Sequence, residues 1–171
     1  MSEYYGFEEL DETVGMPSHT KRAGRELAML YLFGRELNGD VKAHGREEFF
    51  ADASAILHWP VDDRVFRKGC VYAGSLLDII ALNQEEIDER IRKHSSNWEW
   101  DRISLVDRNI MRVAVSEMLH VPSVPPVVSI NEAVEIALDY SDENSGNFIN
   151  GVLNAIKDEL SRPAREAVDH L

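Results

Sequence analysis

A chain of 171 residues with 44% apolar side chains has material for one globular domain, or two small ones, and for nothing larger. Its formal charge of −13 argues against phosphate binding by the protein as a whole, because nucleic-acid affinity rests on Lys and Arg displacing counterions. The single Cys70 excludes an intramolecular disulfide. Among Val71, Tyr72 and Leu76 it reads as a buried thiol of a cytoplasmic protein, and no signal peptide or membrane-length apolar run is present.

Residues 1–18 carry Glu3, Glu8, Glu9, Asp11 and Glu12 without a Lys or Arg, and read as an acidic, flexible extension with Tyr4, Tyr5 and Phe7 as docking handles. A first helix is expected from Thr20, with Leu27, Leu30, Tyr31 and Leu37 on one face and Asn38-Gly39 at its end. Its opening turn bears Lys21, Arg22 and Arg25. Cations at a helix N-terminus oppose the macrodipole by a few tenths of a kcal/mol, so the cluster is either a solvated face or a functional one. A second helix over about 44–57 carries Phe49, Phe50, Ala53, Ile56 and Leu57, and Trp59-Pro60 stops it. A third from about Asp62 to Leu82 presents Val65, Phe66, Cys70, Ala73, Leu76, Leu77 and Ile80. Asn83 and Glu86 have capping-box spacing for a short fourth helix containing Ile87 and Ile91.

Trp98 and Trp100 fall in a loop before a fifth helix, about 104–119. There Val106, Ile110, Val113, Ala114 and Met118 point inward, while Asp107, Arg108 and Arg112 are placed on the surface. Three prolines between Val121 and Pro126 imply an extended connector. The sixth helix shows Ile130, Ala133, Val134, Ala137 and Leu138 in one stripe, with Ser129 and Glu132 at capping-box spacing. The seventh carries Phe148, Ile149, Val152, Leu153 and Ile156, with Ser145 as its expected cap. Within it Asn150-Gly151 is a turn dipeptide lying where a helix continues. Glycine there costs roughly 1 kcal/mol relative to alanine, which points to close helix packing or to close approach of a ligand. The class is all-α, a bundle of about seven helices in two small subdomains sharing one core, with the helical domain at 19–162 and a frayed tail over 163–171.

The six histidines show no metal-ligand spacing, and no phosphate loop, dinucleotide fingerprint or nucleophile elbow is present. Cys70 has no sequence-local activating base. No catalytic residue, metal or cofactor is assigned, and the expectation is a protein that is not an enzyme.

The run INEAVEIALDYSDENSGNFINGVLN, with DRISLVDRNIMRVAVSEML before it, closely resembles the C-terminal half of the NusB transcription antitermination family. The stretch KRAGRELAMLYLFGRE is similar to the family's N-terminal half more loosely. The resemblance implies a helical protein that binds boxA-type single-stranded leader RNA together with a small ribosomal protein, NusE. The pair works within an RNA polymerase antitermination complex on ribosomal RNA operons. It assigns RNA contacts to Lys21, Arg22 and Arg25 at the start of the first helix, and to Phe148, Asn150 and Gly151 with the turn residue Asn144. Single-stranded RNA is read by stacking and by hydrogen bonds to base edges. Core packing is the competing role for Phe148, whereas Asn150 has no apolar reason to be buried. The resemblance also assigns partner contacts to Asp101 and Asp107, whose competing role is ordinary stabilising charge at a helix N-terminus.

Departures from the family pattern are concentrated in basic charge. Only Lys21 and Arg22 stand where a longer arginine-rich run is common, and Val127, Leu138 and Asn147 are uncharged where basic residues are frequent. Asn144 replaces a frequent aspartate, which removes one repulsion from phosphate. Leu30 and Phe33 replace a typical glutamine and tyrosine. The expectation is weak RNA binding alone and tight binding with the partner. Two other readings compete: a helical protein-interaction adaptor with little RNA binding, and an N-terminal fragment of a ribosomal RNA methyltransferase carrying a NusB-like domain. The second needs a long catalytic domain beyond Leu171. Whether the free protein forms a homodimer is left open by the sequence.

Overall fold

The protein is described by a computed structural model over residues 15–39 and 45–168. Among these residues the regular elements are α1 (Thr20–Leu37), α2 (Arg46–Leu57), α3 (Arg64–His94), α4 (Leu105–His120), α5 (Pro126–Tyr140) and α6 (Ser145–Asp158), with a 3-10 turn at Trp100–Arg102 and no strand. The acidic stretch with Tyr4, Tyr5 and Phe7, and the start of the expected second helix at His44, lie outside the described residues. No described helix is long and apolar enough to cross a membrane.

The all-α class holds, with six helices among the described residues in place of about seven. The difference lies at Asn83, whose non-helical backbone (φ −129°, ψ 18°) divides α3 into two helical stretches at the boundary the sequence implies, counted here as one helix. Its Nδ2 donates back to the Ile79 carbonyl at 2.8 Å, so the side chain bridges the kink and does not cap a new helix.

The chain divides into two compact units, one ending at Leu77 and one beginning at Asp78. In the first, α1 buries Ala23, Leu27, Ala28, Leu30 and Tyr31, and α2 buries Phe49, Phe50 and Ala53. Tyr31 meets Phe49 edge to face at 5.2 Å. Leu37 and Ile56, expected on the apolar faces, are exposed. α2 ends at His58 in the left-handed region (φ 56°), and the Ser54 hydroxyl donates to the carbonyl of buried Trp59. α3 starts two residues later than its apolar pattern suggests, because Asp63 caps it: Oδ1 accepts from Val65 N at 2.6 Å and Phe66 N at 3.2 Å. α1 and α3 touch through glycines. A Cβ on Gly24 would lie 2.9 Å from the Gly69 carbonyl oxygen and 2.8 Å from Tyr72 Cδ1. Cys70 is half-buried, and burial pushes its thiol up to about 11, away from the thiolate.

In the second unit α4 is buried on nearly every side, which overturns the surface placement of Asp107, Arg108 and Arg112. Polar residues persist there because each is bonded. Arg112 forks onto Asp88 at 2.7 and 2.9 Å, and its Nη1 donates to Asn109 at 3.0 Å. Arg108 donates to the carbonyls of Trp100 and Ile103. Helical periodicity reports which positions are apolar, and an enclosed helix with internal hydrogen bonding escapes it.

α5 begins four residues earlier than a cap at Ser129 implies, with Pro126 at the first helical position, where its missing N–H is no loss. Ser129 is therefore interior and buried, not a cap. Leu138, expected in the apolar stripe, is exposed, and Ile136 is buried. Of the tail, expected to fray, the described residues 163–168 run against the connector between α4 and α5 and the start of α5. Arg162 donates to the carbonyls of Val121 and Val124, Val127 N to the Ala164 carbonyl, and Val168 N to the Pro122 carbonyl.

Within the second unit Glu159, just past α6, holds the C-terminal end of α3, accepting from Lys93 Nζ at 2.6 Å with His94 Nε2 at 3.1 Å. The Lys93 hydrogen bond, followed by His94, lowers the carboxyl from its ordinary 4.5 to about 2. A depressed folded-state value stabilises the fold above pH 4.5, and that stabilisation is lost as pH falls toward 2. The parent should therefore melt above Glu159→Gln at pH 6, and the gap should close progressively below pH 4.5 in a calorimetric pH series.

Candidate functional site

The α5–α6 turn is built by one carboxylate on each side. Asp142 Oδ1 accepts from the backbone N–H of Asn144 at 2.9 Å and of Ser145 at 3.1 Å, fixing the turn chemistry. From below, Asp107 takes both serines: its Oδ1 accepts from Ser141 Oγ at 2.6 Å and its Oδ2 from Ser145 Oγ at 2.8 Å. Asn144 occupies the cap position of α6 without a side-chain cap bond, and Ser145 is the first helical residue, its hydroxyl turned inward and not capping. Asp107 is thus an internal strut of the turn and not an exposed acid.

α6 buries Ile149, Val152, Leu153 and Ile156 and leaves Asn147, Asn150 and Gly151 exposed, with Phe148 half-buried. No heavy atom lies within 4 Å of a Cβ built on Gly151, so close helix packing does not account for this glycine. One turn apart along the helix, Phe148 and Gly151 are surface neighbours, and the missing side chain leaves an open floor beside the ring. Trp98, in the loop before α4, is 55% exposed and meets Phe148 edge to face at 5.7 Å. Only the tertiary contact reveals that these two aromatics form one step.

Asn150 is oriented by a relay. Lys157 Nζ donates to Asn154 Oδ1 at 2.9 Å, and Asn154 Nδ2 donates to Asn150 Oδ1 at 3.1 Å. An ammonium can only donate, so Asn154 must accept with oxygen and pass a donor on. Asn150 then accepts with oxygen, which leaves the two Nδ2 hydrogens of this exposed side chain for other acceptors. The site therefore offers donors to acceptors.

Asp101 is exposed on the turn Trp100–Arg102. That turn is pinned through Trp100, whose ring lies 4.3 Å from the Arg92 guanidinium, 4.6 Å from that of Arg108 and 5.5 Å from that of Arg112. Neither tryptophan nor the arginines had a periodic signal that marked this pier.

In the first unit the basic start of α1 is unequal. Lys21 is exposed, its Nζ 5.7 Å from the Tyr72 ring centroid. Arg22 pairs with buried Glu26 at 2.5 Å, and Arg25 is itself buried, 6.0 Å from the same ring. Of the three predicted cations, Lys21 presents its charge most openly. Among the described residues no group of three or more His, Cys, Asp or Glu side chains has metal-binding geometry.

Comparison with known proteins converges on one group. The NusB family model matches residues 22–158. A transcription antitermination protein NusB from Chloroherpeton thalassium is 37% identical over 82% of this chain, which spans 63% of that protein's length. The corresponding protein of Bacillus mycoides is 39% identical over 82% of this chain and 98% of its own. A crystal structure of antitermination factors NusB and NusE in complex with dsRNA superposes with a TM-score of 0.65 at 29% identity, covering 82% of this chain and 98% of that one. By family-model match, by identity over most of its length and by fold, the chain belongs to the NusB family.

Proposed function

We propose that this protein is a transcription antitermination factor that binds boxA-type single-stranded leader RNA jointly with a small ribosomal protein of the NusE kind. It acts as an adaptor, without catalysis, helping RNA polymerase elongate through ribosomal RNA operons. Family membership supports the role, and a related structure holds NusB, NusE and RNA together. The observation that carries it is the outer face of α6, where the donor edge of Asn150 stands on the same exposed surface as the open floor of Gly151 and the Phe148–Trp98 step.

In this reading Asn150 donates to a base-edge acceptor, and Phe148 with Trp98 offers a face for stacking. Asn144 adds no charge of its own to a turn that already carries Asp142 and Glu143, and Lys21 takes a phosphate with Arg22 and Arg25 behind it. Asp101 faces the protein partner, and Asp107 serves that surface from beneath by holding the turn. At a net charge of −13 long-range repulsion is screened beyond the Debye length of ~8 Å, so local cations still act, but few contacts make binding by the protein alone weak.

The test is titration of labelled boxA-type and scrambled RNA with the protein alone and with the ribosomal partner. Tight, boxA-selective binding is expected only with the partner. Absence of any boxA preference in both states would leave a protein-binding adaptor. Two variants sharpen the expectation. Gly151→Ala should raise unfolding free energy by up to about 1 kcal/mol in urea titration, since the new methyl meets nothing, while RNA affinity falls. Asn154→Asp should reverse the relay, because a carboxylate only accepts; Asn150 then turns its oxygen outward, and the preferred base at one RNA position should change.

A further inference from the structure

We infer that the start of α3 is a second RNA-binding element, a phosphate track made by Arg64, Arg67 and Lys68 that extends the basic start of α1. The inference rests on the proposed RNA-binding role and adds residues to which no function has been assigned so far.

Both helices break the same rule. The first turn of α1 holds Lys21 and Arg22 with no acid, and α3, although Asp63 caps it, holds Arg64 and Arg67 in its first turn with no acid. Each placement sets cations on the positive end of a helix dipole, where carboxylates are favoured. In a chain with 31 acids and 18 bases, the windows 20–30 and 64–77 contain six Lys and Arg against the single Glu26, with Asp62, Asp63 and Asp78 bordering the second. Exposed Arg64, Arg67 and Lys68, like Lys21, form no ion pair with an acid among the described residues, although acids are the commoner charge. A face that was merely solvated would be expected to take such partners.

The glycine crossing unites the two segments. Gly69, whose own Cβ would meet Ala23 Cβ at 3.0 Å, brings α3 onto α1 at backbone distance. Every one of the six cations lies within five residues of the crossing glycine on its own helix, which is a rise of roughly 7.5 Å at most. Arg64, Lys68 and Tyr72 follow one another at successive four-residue steps, a single ridge along α3, and Tyr72 at its end holds Lys21 and Arg25 over its ring. The arrangement is a row of positive charge on a rigid base, with spacing suited to successive phosphates of a flexible single strand and with no planar group set aside to read bases. It therefore binds backbone without sequence choice.

The experiment compares the full chain with its Arg64→Gln/Arg67→Gln/Lys68→Gln variant, both with the ribosomal partner, on a boxA-type RNA and on the same RNA lengthened by ten nucleotides of unstructured sequence at either end. The variant should keep the parent's circular dichroism and melting temperature. Its preference for boxA over scrambled sequence should be unchanged. Affinity for lengthened RNA should drop at least tenfold at low salt, and the slope of log affinity against log salt should fall by about 2, at roughly 0.7 for each lost phosphate contact. Equal affinity and slope for parent and variant on every RNA would overturn the track while leaving the boxA reading intact. If the parent with its partner prefers no RNA, the boxA reading itself fails, and the track falls with it.

Discussion

Replacing Asp107 by lysine should lower the unfolding free energy by about 3 kcal/mol or more. The lysine removes the carboxylate that takes both the Ser141 and Ser145 hydroxyls, leaving Ser145 with Asp142 Oδ1 at 3.2 Å, and places a long ammonium side chain in a 7% exposed site packed for a short acid. The turn before α6 then loses its internal strut, and RNA and partner affinity should fall together with stability. Asp107→Asn is the graded control. Its amide oxygen keeps one hydroxyl bond, so a loss of about 1–2 kcal/mol is expected. Asp101→Lys sits on the exposed 3-10 turn and should change stability little while weakening the protein partner. Urea titrations of the three variants, each followed by calorimetric binding of the partner, separate the roles. An Asp107→Lys protein as stable as the parent but deficient in partner binding would make Asp107 a surface contact, contrary to the geometry.

Alanine at Gly24 should cost about 2–3 kcal/mol. The new Cβ would lie 2.9 Å from the Gly69 carbonyl oxygen, a backbone atom that cannot swing aside, and 2.8 Å from Tyr72 Cδ1. Gly69→Ala should cost less, because its tightest neighbour is the Ala23 methyl at 3.0 Å. The double substitution should be worse than the sum, since both residues occupy one crossing. Thermal and urea unfolding of the three proteins checks this order. A neutral Gly24→Ala would mean that α1 and α3 stand further apart than described. The contrast with Gly151→Ala, expected to be neutral to stabilising, follows from the same two measurements of space.

The element inventory was legible because amphipathic helices carry their partner's position in their own periodicity. The stripes Leu27–Leu30–Tyr31, Phe49–Phe50–Ala53, Ile110–Val113–Ala114 and Ile149–Val152–Leu153 are buried as their spacing requires. Caps were less legible. Ser104 and Asp63 do cap, accepting from Asp107 N and from Val65 and Phe66 N. Asn83, Ser129 and Ser145 have the same residue types but bond elsewhere or lie inside a helix. A short polar side chain has several backbone and side-chain partners within reach, and only the assembled fold selects among them.

What the sequence determined by itself is therefore the helical class, the helix count to within one, the family and the motif on α6, all of which rest on spacing along one chain. Tertiary structure decided which polar residues face inward. The burial of Asp107, Arg108, Arg112 and Arg25, the Trp98–Phe148 step, the cations around Trp100 and the Gly24–Gly69 crossing each join residues far apart in sequence. No periodic pattern encodes such pairs, because the free energy of a buried polar group depends on a hydrogen-bonding or stacking partner that another element supplies.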